Sequence, residues 1–194
     1  MEVVGSVEYK AIMVYKLIVY GMPGAGKDTQ SELLAEALGV PHFSTGQILR
    51  DEIAADTELG RFVKPYVESG TMIPKGVATN IYKDKLTTPE IQSTGYIVNG
   101  YPRSIESLKT YLEFDKPTHI VHLVIPDELA RLRLSKRARS DDTPEVIEKR
   151  ISRYYEMEKA AADYARDFSG VPFLEIDSSA TPDEVTKVLL ERLR

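Results

Sequence analysis

Apolar and polar positions along the 194-residue chain fall into two alternating patterns. Short apolar runs recur at residues 16–20 (KLIVY), 40–43 (VPHF), 96–99 (YIVN), 119–125 (HIVHLVI) and 171–176 (VPFLEI). Runs of this length predict strands buried on both faces, as in parallel sheets. Between them, apolar residues return at helical spacing. Leu33, Leu34, Ala37 and Leu38 mark a helix over 29–38 that Gly39 ends. Further helical patterns cover 46–54, 58–69, 76–86 and 105–111, and Pro126 opens a basic helix. Thr143-Pro144-Glu145 and Thr181-Pro182-Asp183-Glu184 carry helix-start chemistry: a threonine cap, proline first, acid in the first turn.

Strands alternating with helices predict an α/β fold, a five-stranded parallel sheet with helices on both faces. Ligands of such sheets bind beyond the carboxyl ends of the strands. Gly21, Phe43-Ser44, Gly100 and Pro126 are therefore expected along one edge. The length suits one domain over 1–194, with 1–14 read as an N-terminal extension and Met13 as an alternative start.

Composition narrows the function classes. The formal net charge is -5, from 25 Lys+Arg against 30 Asp+Glu, so neither nucleic acid nor an anionic membrane is expected as a partner. The absence of cysteine excludes disulfides and thiolate metal sites. No apolar run approaches membrane-spanning length, and the first residues lack a signal-peptide core. A cytoplasmic protein is expected. His42, His119 and His122 have no metal-ligand spacing and read as core or surface residues.

The chemistry concentrates in GMPGAGKDTQ, residues 21–30, after the first predicted strand and opening the first predicted helix. Gly21, Gly24 and Gly26 permit turns that a Cβ would forbid. Backbone N–H groups can then form a nest for phosphate oxygens, reinforced by the helix N-terminus. Lys27 adds a mobile point charge. This is the context a phosphate-binding loop requires.

The loop resembles the GxPGxGKGTQ loop of adenylate kinases and related nucleoside monophosphate kinases. STGQILR (44–50), ESGTMIP (68–74), NGYPRS (99–104) and RLSKRARSDDTPEVIEKRI (133–151) resemble further motifs of that family, in its order. The resemblance implies a P-loop NTPase-type core with a helical monophosphate-binding arm over about 44–75 and a very short lid over about 137–143. The implied reaction moves the terminal phosphoryl group of ATP, with Mg²⁺, onto a nucleoside monophosphate. AMP is the expected acceptor, a UMP/CMP kinase or another nucleoside monophosphate kinase is the alternative, and a nucleotide-binding pseudokinase ranks below these. A monomer is expected.

Site residues follow from the matched positions. Gly24, Ala25, Gly26, Lys27, Asp28, Thr29, Arg133 and Arg137 match the ATP side, Arg133 over the adenine. Thr45, Arg50, Ile73, Gly100, Arg103 and Ser107 match the acceptor side. Lys27, Arg103, Arg137, Arg139 and Arg150 match the groups around the transferring phosphoryl, where guanidinium forks suit phosphate oxygens. Thr29 and, through water, Asn99 match the Mg²⁺ site. Arg131, Lys136 and Arg153 read as a solvated basic face.

Four positions depart from the family pattern. Asp28 stands for a glycine, Gln47 and Asn99 for aspartates, and Ser107 for the glutamine that reads an adenine edge in adenylate kinases. Asparagine accepts a hydrogen bond but carries no charge. Asp28 is therefore expected to restore near the metal some charge that Asn99 lacks. The short lid predicts imperfect water exclusion and some ATP hydrolysis without acceptor.

Overall fold

In the computed structural model, residues 13–137 and 143–194 are described. Strand β1 (Tyr15–Gly21) is followed by helix α1 (Lys27–Leu38) and strand β2 (His42–Ser44). Helices α2 (Thr45–Ala54), α3 (Glu58–Ser69), α4 (Val77–Leu86) and α5 (Pro89–Thr94) precede β3 (Gly95–Asn99). Then come α6 (Ile105–Phe114), β4 (His119–Val124) and α7 (Asp127–Arg137). Helix α8 (Pro144–Arg153) runs through a π-helical turn at Tyr154–Glu158 into α9 (Lys159–Phe168). Strand β5 (Phe173–Asp177) and α10 (Pro182–Arg192) complete the described elements.

The five strands form one parallel sheet in the order β2-β3-β1-β4-β5. Strand β1 lies at its centre, which explains its unbroken apolar run. Alternate residues feed opposite faces. Leu17 and Val19 join Leu34, Val121, Ile176 and Leu189 on the face covered by α1 and α10. Ile18 and Tyr20 join Val98, Leu108, Tyr111 and Ala162 on the face covered by α6 and α9. Leu17 and Ile18 are wholly buried, each contributing roughly 2 kcal/mol of apolar transfer. Among the described residues, no helix is long and apolar enough to cross a membrane.

Helices α2 and α3 pack against each other. Gly60 makes their close approach possible, since a Cβ there would stand 2.0 Å from the Glu52 carbonyl oxygen. Thr57 caps α3 by accepting from the Gly60 N–H at 2.9 Å.

All five expected strands are present. Helix α5 was not expected, although Thr88-Pro89-Glu90 repeats the start chemistry recognised at 143 and 181. The expected extension lies almost entirely outside the described residues, as does the expected lid between Arg137 and Thr143.

Candidate active site

Parallel strands aim all their carboxyl ends at one edge, and there a cavity of about 930 Å³ opens. Its walls come from the loop before α1, the α2–α3 pair, the segment after β3, and α7, α8 and the π turn. Positive φ at Gly24 (+86°) and Gly26 (+84°) turns the loop. A Cβ at Gly24 would also meet the Ala130 carbonyl oxygen at 2.7 Å. The loop is braced from behind, where Ser178 Oγ donates to the Ala25 carbonyl at 2.9 Å.

Lys27 begins α1 with its ammonium folded over the loop, donating to the carbonyls of Gly21 (2.6 Å) and Met22 (3.0 Å). Burial pulls its pKa down to about 8, against the upward pull of Glu158. Lys27, Arg50, Arg103, Arg137, Arg150 and Arg153 all line the cavity, against the carboxylates Asp28, Glu106 and Glu158. An acidic chain has thus gathered positive charge into one concave surface, the arrangement that attracts and orients phosphates.

Among the residues matched to the acceptor side, Arg103 leaves the segment after β3 with its Nε bonded to the Gly100 carbonyl at 2.6 Å. Arg50 donates to Gln47 Oε1 at 2.8 Å. The buried Thr45 hydroxyl contacts Tyr82 Oη at 3.0 Å and the Asn99 carbonyl at 3.3 Å. Ile73 and Gly100 complete this wall.

Ser107 also lines the cavity, but its hydroxyl belongs to the start of α6. Its Oγ accepts from the backbone N–H of Arg103 (3.1 Å) and of Ser104 (2.9 Å), and Ser104 Oγ accepts from the Ser107 N–H. This is a capping box, which fixes the backbone from which Arg103 departs.

Among the residues matched to the ATP side, the Arg133 guanidinium donates to the carbonyls of Ser178 (3.0 Å) and Ser179 (3.1 Å). Thr29 is exposed in the first turn of α1. The Asp28 carboxylate accepts from Asn99 Nδ2 at 2.9 Å and Ser44 Oγ at 3.0 Å. His42 lies behind this group. Burial lowers its pKa despite the nearby Asp28, and its Nε2 has no hydrogen-bond partner among the described residues. His119 is partly buried, and His122 is wholly buried against Tyr154 Oη at 2.8 Å. No cluster of potential metal ligands occurs among the described residues.

The cavity therefore brings together every described residue matched to the ATP and acceptor sides except Ala25, a buried member of the loop itself. Arg139 lies outside the described residues. One expectation needs correction. Arg153 is not on a solvated face: its side chain is 13% exposed and donates to the Gly70 carbonyl at 2.6 Å. The three-residue step from Arg150 puts both arginines on one side of α8, a spacing that could have revealed it. Glu158 also escaped notice. It is 7% exposed, and its Oε1 lies 3.4 Å from both Arg103 Nη1 and Arg153 Nε. Arg131 and Lys136 do belong to the outer face, with Arg131 paired to Glu148 at 2.8 Å.

Comparison with known proteins agrees with this geometry. A family model described as adenylate kinase matches residues 19–169. An adenylate kinase of Cyanothece sp. is 36% identical over 161 residues, covering 78% of this chain and 82% of the relative. One from Trichodesmium erythraeum is 33% identical over 189 residues, covering 89% and 98%. One from Mycobacterium tuberculosis is 35% identical over 175 residues, covering 88% and 94%.

Proposed function

The chain belongs to the adenylate kinase family, and from that premise we propose that it catalyses ATP + AMP = 2 ADP, the reversible transfer of a terminal phosphoryl group between nucleotides. The observation that carries this is the convergence of Lys27, Arg50, Arg103, Arg137 and Arg150 on one cavity at the carboxyl edge of the sheet.

Phosphoryl transfer asks little covalent chemistry of a protein. It asks for alignment, neutralised charge and exclusion of water. The loop of Gly24, Ala25 and Gly26 cradles the donor phosphates through backbone N–H groups. Lys27 leaves its two carbonyl partners to reach the outer phosphates. Arg133 is already fixed by the Ser178 and Ser179 carbonyls, and it presents its planar group to the donor base. Arg50 and Arg103 grip the acceptor phosphate, and Thr45, Ile73 and Gly100 wall the acceptor nucleoside. Arg137, Arg150 and, by resemblance, Arg139 stabilise charge on the group in transit. The α2–α3 pair serves as the acceptor arm, and the short segment after Arg137 serves as the lid.

Mg²⁺ is the expected companion of ATP. It takes hard oxygen donors, keeps several waters and is held by one or two carboxylates together with substrate phosphates. The Thr29 hydroxyl, the Asp28 carboxylate and the Asn99 carboxamide, gathered where the loop meets β3, fit that requirement. When bound, the ion would supply positive charge to the phosphates. We further read the enzyme as a cytoplasmic monomer, since one chain supplies both sides of the cavity.

The test is a coupled assay with ATP, Mg²⁺ and each of AMP, UMP, CMP, GMP and dTMP. Turnover highest with AMP is expected. No turnover with any acceptor at micromolar enzyme would overturn the proposal.

A further inference from the structure

Three carboxylates line the cavity among the described residues. Glu106 is exposed and pairs with Lys75 at 2.7 Å, and Asp28 accepts from Ser44 and Asn99. Glu158 is the buried one set among arginines. It closes the π turn at Tyr154–Glu158, and such turns inside helices are frequent at functional sites. Its Oε1 lies 3.4 Å from both Arg103 Nη1 and Arg153 Nε. Each guanidinium has a second anchor, Arg103 donating Nε to the Gly100 carbonyl and Arg153 donating Nη1 to the Gly70 carbonyl, both at 2.6 Å. Two like charges thus share one carboxylate oxygen. Burial and then Arg103 pull the Arg153 guanidinium below its ordinary range, and Glu158 opposes them. Lys27 feels the same set: burial lowers it, Glu158 raises it, and Arg103 lowers it further.

We propose that Glu158 is a positioning residue of the acceptor-phosphate site: it holds Arg103 in the direction from which that arginine grips a monophosphate, and Arg153 holds Glu158 in turn. The inference rests on the phosphotransfer reading above and names what aims its acceptor arginine. A guanidinium carries five N–H donors in a rigid fork. Gly100 and Glu158 engage two nitrogens of Arg103, which fixes the plane of the fork and leaves donors over for phosphate oxygens. The Ser104–Ser107 box sets where the backbone of Arg103 departs, and Glu158 sets where its side chain ends. Without Glu158, one backbone carbonyl would hold Arg103 against repulsion from Arg153 and Lys27. The carboxylate also repels an incoming phosphate, which works against binding. Coulomb energy falls with distance, so contact with Arg103 outweighs repulsion of a phosphate lying beyond the guanidinium.

The test compares AMP with adenosine, which lacks the phosphate, by NMR titration of the full chain. Glu158→Gln keeps the volume and removes the charge. It should weaken AMP about 10-fold, the worth of a hydrogen bond between charged groups, and leave adenosine unchanged. Glu158→Asp keeps the charge on a shorter stem and should fall between Glu158→Gln and wild type. It also carries the test alone if Glu158→Gln does not fold. In an Arg103→Ala background, Glu158→Gln should weaken AMP no further, because Glu158 acts through Arg103. Unchanged AMP affinity in both Glu158 variants overturns the inference. So does tighter AMP binding, which would make Glu158 a repelling charge, and so does an equal loss for AMP and adenosine, which would make it merely structural. The full loss persisting in the Arg103→Ala background overturns it too. A wild-type chain that shows the expected pattern but phosphorylates no acceptor overturns the catalytic proposal instead.

Discussion

Arg153 fastens α8 to the C-terminal end of α3, donating Nη1 to the Gly70 carbonyl at 2.6 Å. Its Nε side lies against Glu158, itself shared with Arg103. One guanidinium thus spans elements 83 positions apart in sequence and joins the Glu158–Arg103 contact to the end of α3.

Arg153→Ala leaves Glu158 buried with one cation fewer and the Gly70 carbonyl without this donor. Removing one member of a buried pair costs about 3 kcal/mol. Urea unfolding should show a loss of that order, and Arg153→Ala with Glu158→Gln should be less damaged than the sum of the two single changes. Strict additivity would show that the pair is not coupled.

Lys27 offers a test by proton counting. Its pKa near 8 in the ligand-free protein reflects burial, and phosphates beside it favour the charged form. Nucleotide binding above pH 8 must therefore take up a proton, while binding at pH 6.5 should not do so at this residue. Calorimetry in buffers of different ionisation enthalpy reads the uptake directly, and Lys27→Met should abolish it. Turnover in that variant should fall at least about 100-fold, as when one donor to a developing charge is lost.

Ser107 is expected to matter to Arg103 rather than to the base. Ser107→Ala should cost about 1 kcal/mol of stability through the lost cap. It should raise KM for AMP through a looser Arg103 and leave the ranking of acceptor bases unchanged. A changed ranking in the five-acceptor assay would place Ser107 in base selection.

Asp115 links stability to pH. Burial alone would raise its carboxyl, but hydrogen bonds from Lys16, Tyr96, Gln92 and the Lys116 N–H outweigh that and hold it below the ordinary 3.8. A depressed acid contributes stability in full above the ordinary value and loses it as pH falls through the folded value. Asp115→Ala should therefore be clearly less stable than wild type at pH 7, with the gap narrowing below pH 4. A gap independent of pH would remove the carboxylate from the explanation.

The strands were legible because each is a buried apolar run, and the phosphate loop because glycine and lysine at fixed spacing have few other uses beside a strand. Helix α5 was missed although its Thr-Pro-Glu start was in plain view, since six residues are too few for periodicity to show. Arg153 and Glu158 were hidden for a different reason. An arginine on a basic helix looks solvated until the fold brings Gly70 to it, and only its spacing from Arg150 hinted otherwise. An acid among acids gives no hint that a π turn buries it. Asp28 was visible as an anomaly, but its contact with Asn99 spans 71 positions, and only the parallel pairing of β2 with β3 sets Ser44 beside Asn99.

The brace behind the phosphate loop bears on how the protein is made. Ser178 supports Ala25 from 153 positions downstream, and Gln30 of α1 is bonded to the Pro182 carbonyl and to Thr186 Oγ1, 152 and 156 positions away. The central strand likewise waits for β3 and β4 before either edge is satisfied. Such non-local contacts form late. On the ribosome, the phosphate loop therefore emerges well before the segment that braces it, and a nascent chain holds the loop in shape only after residues 178–186 have followed.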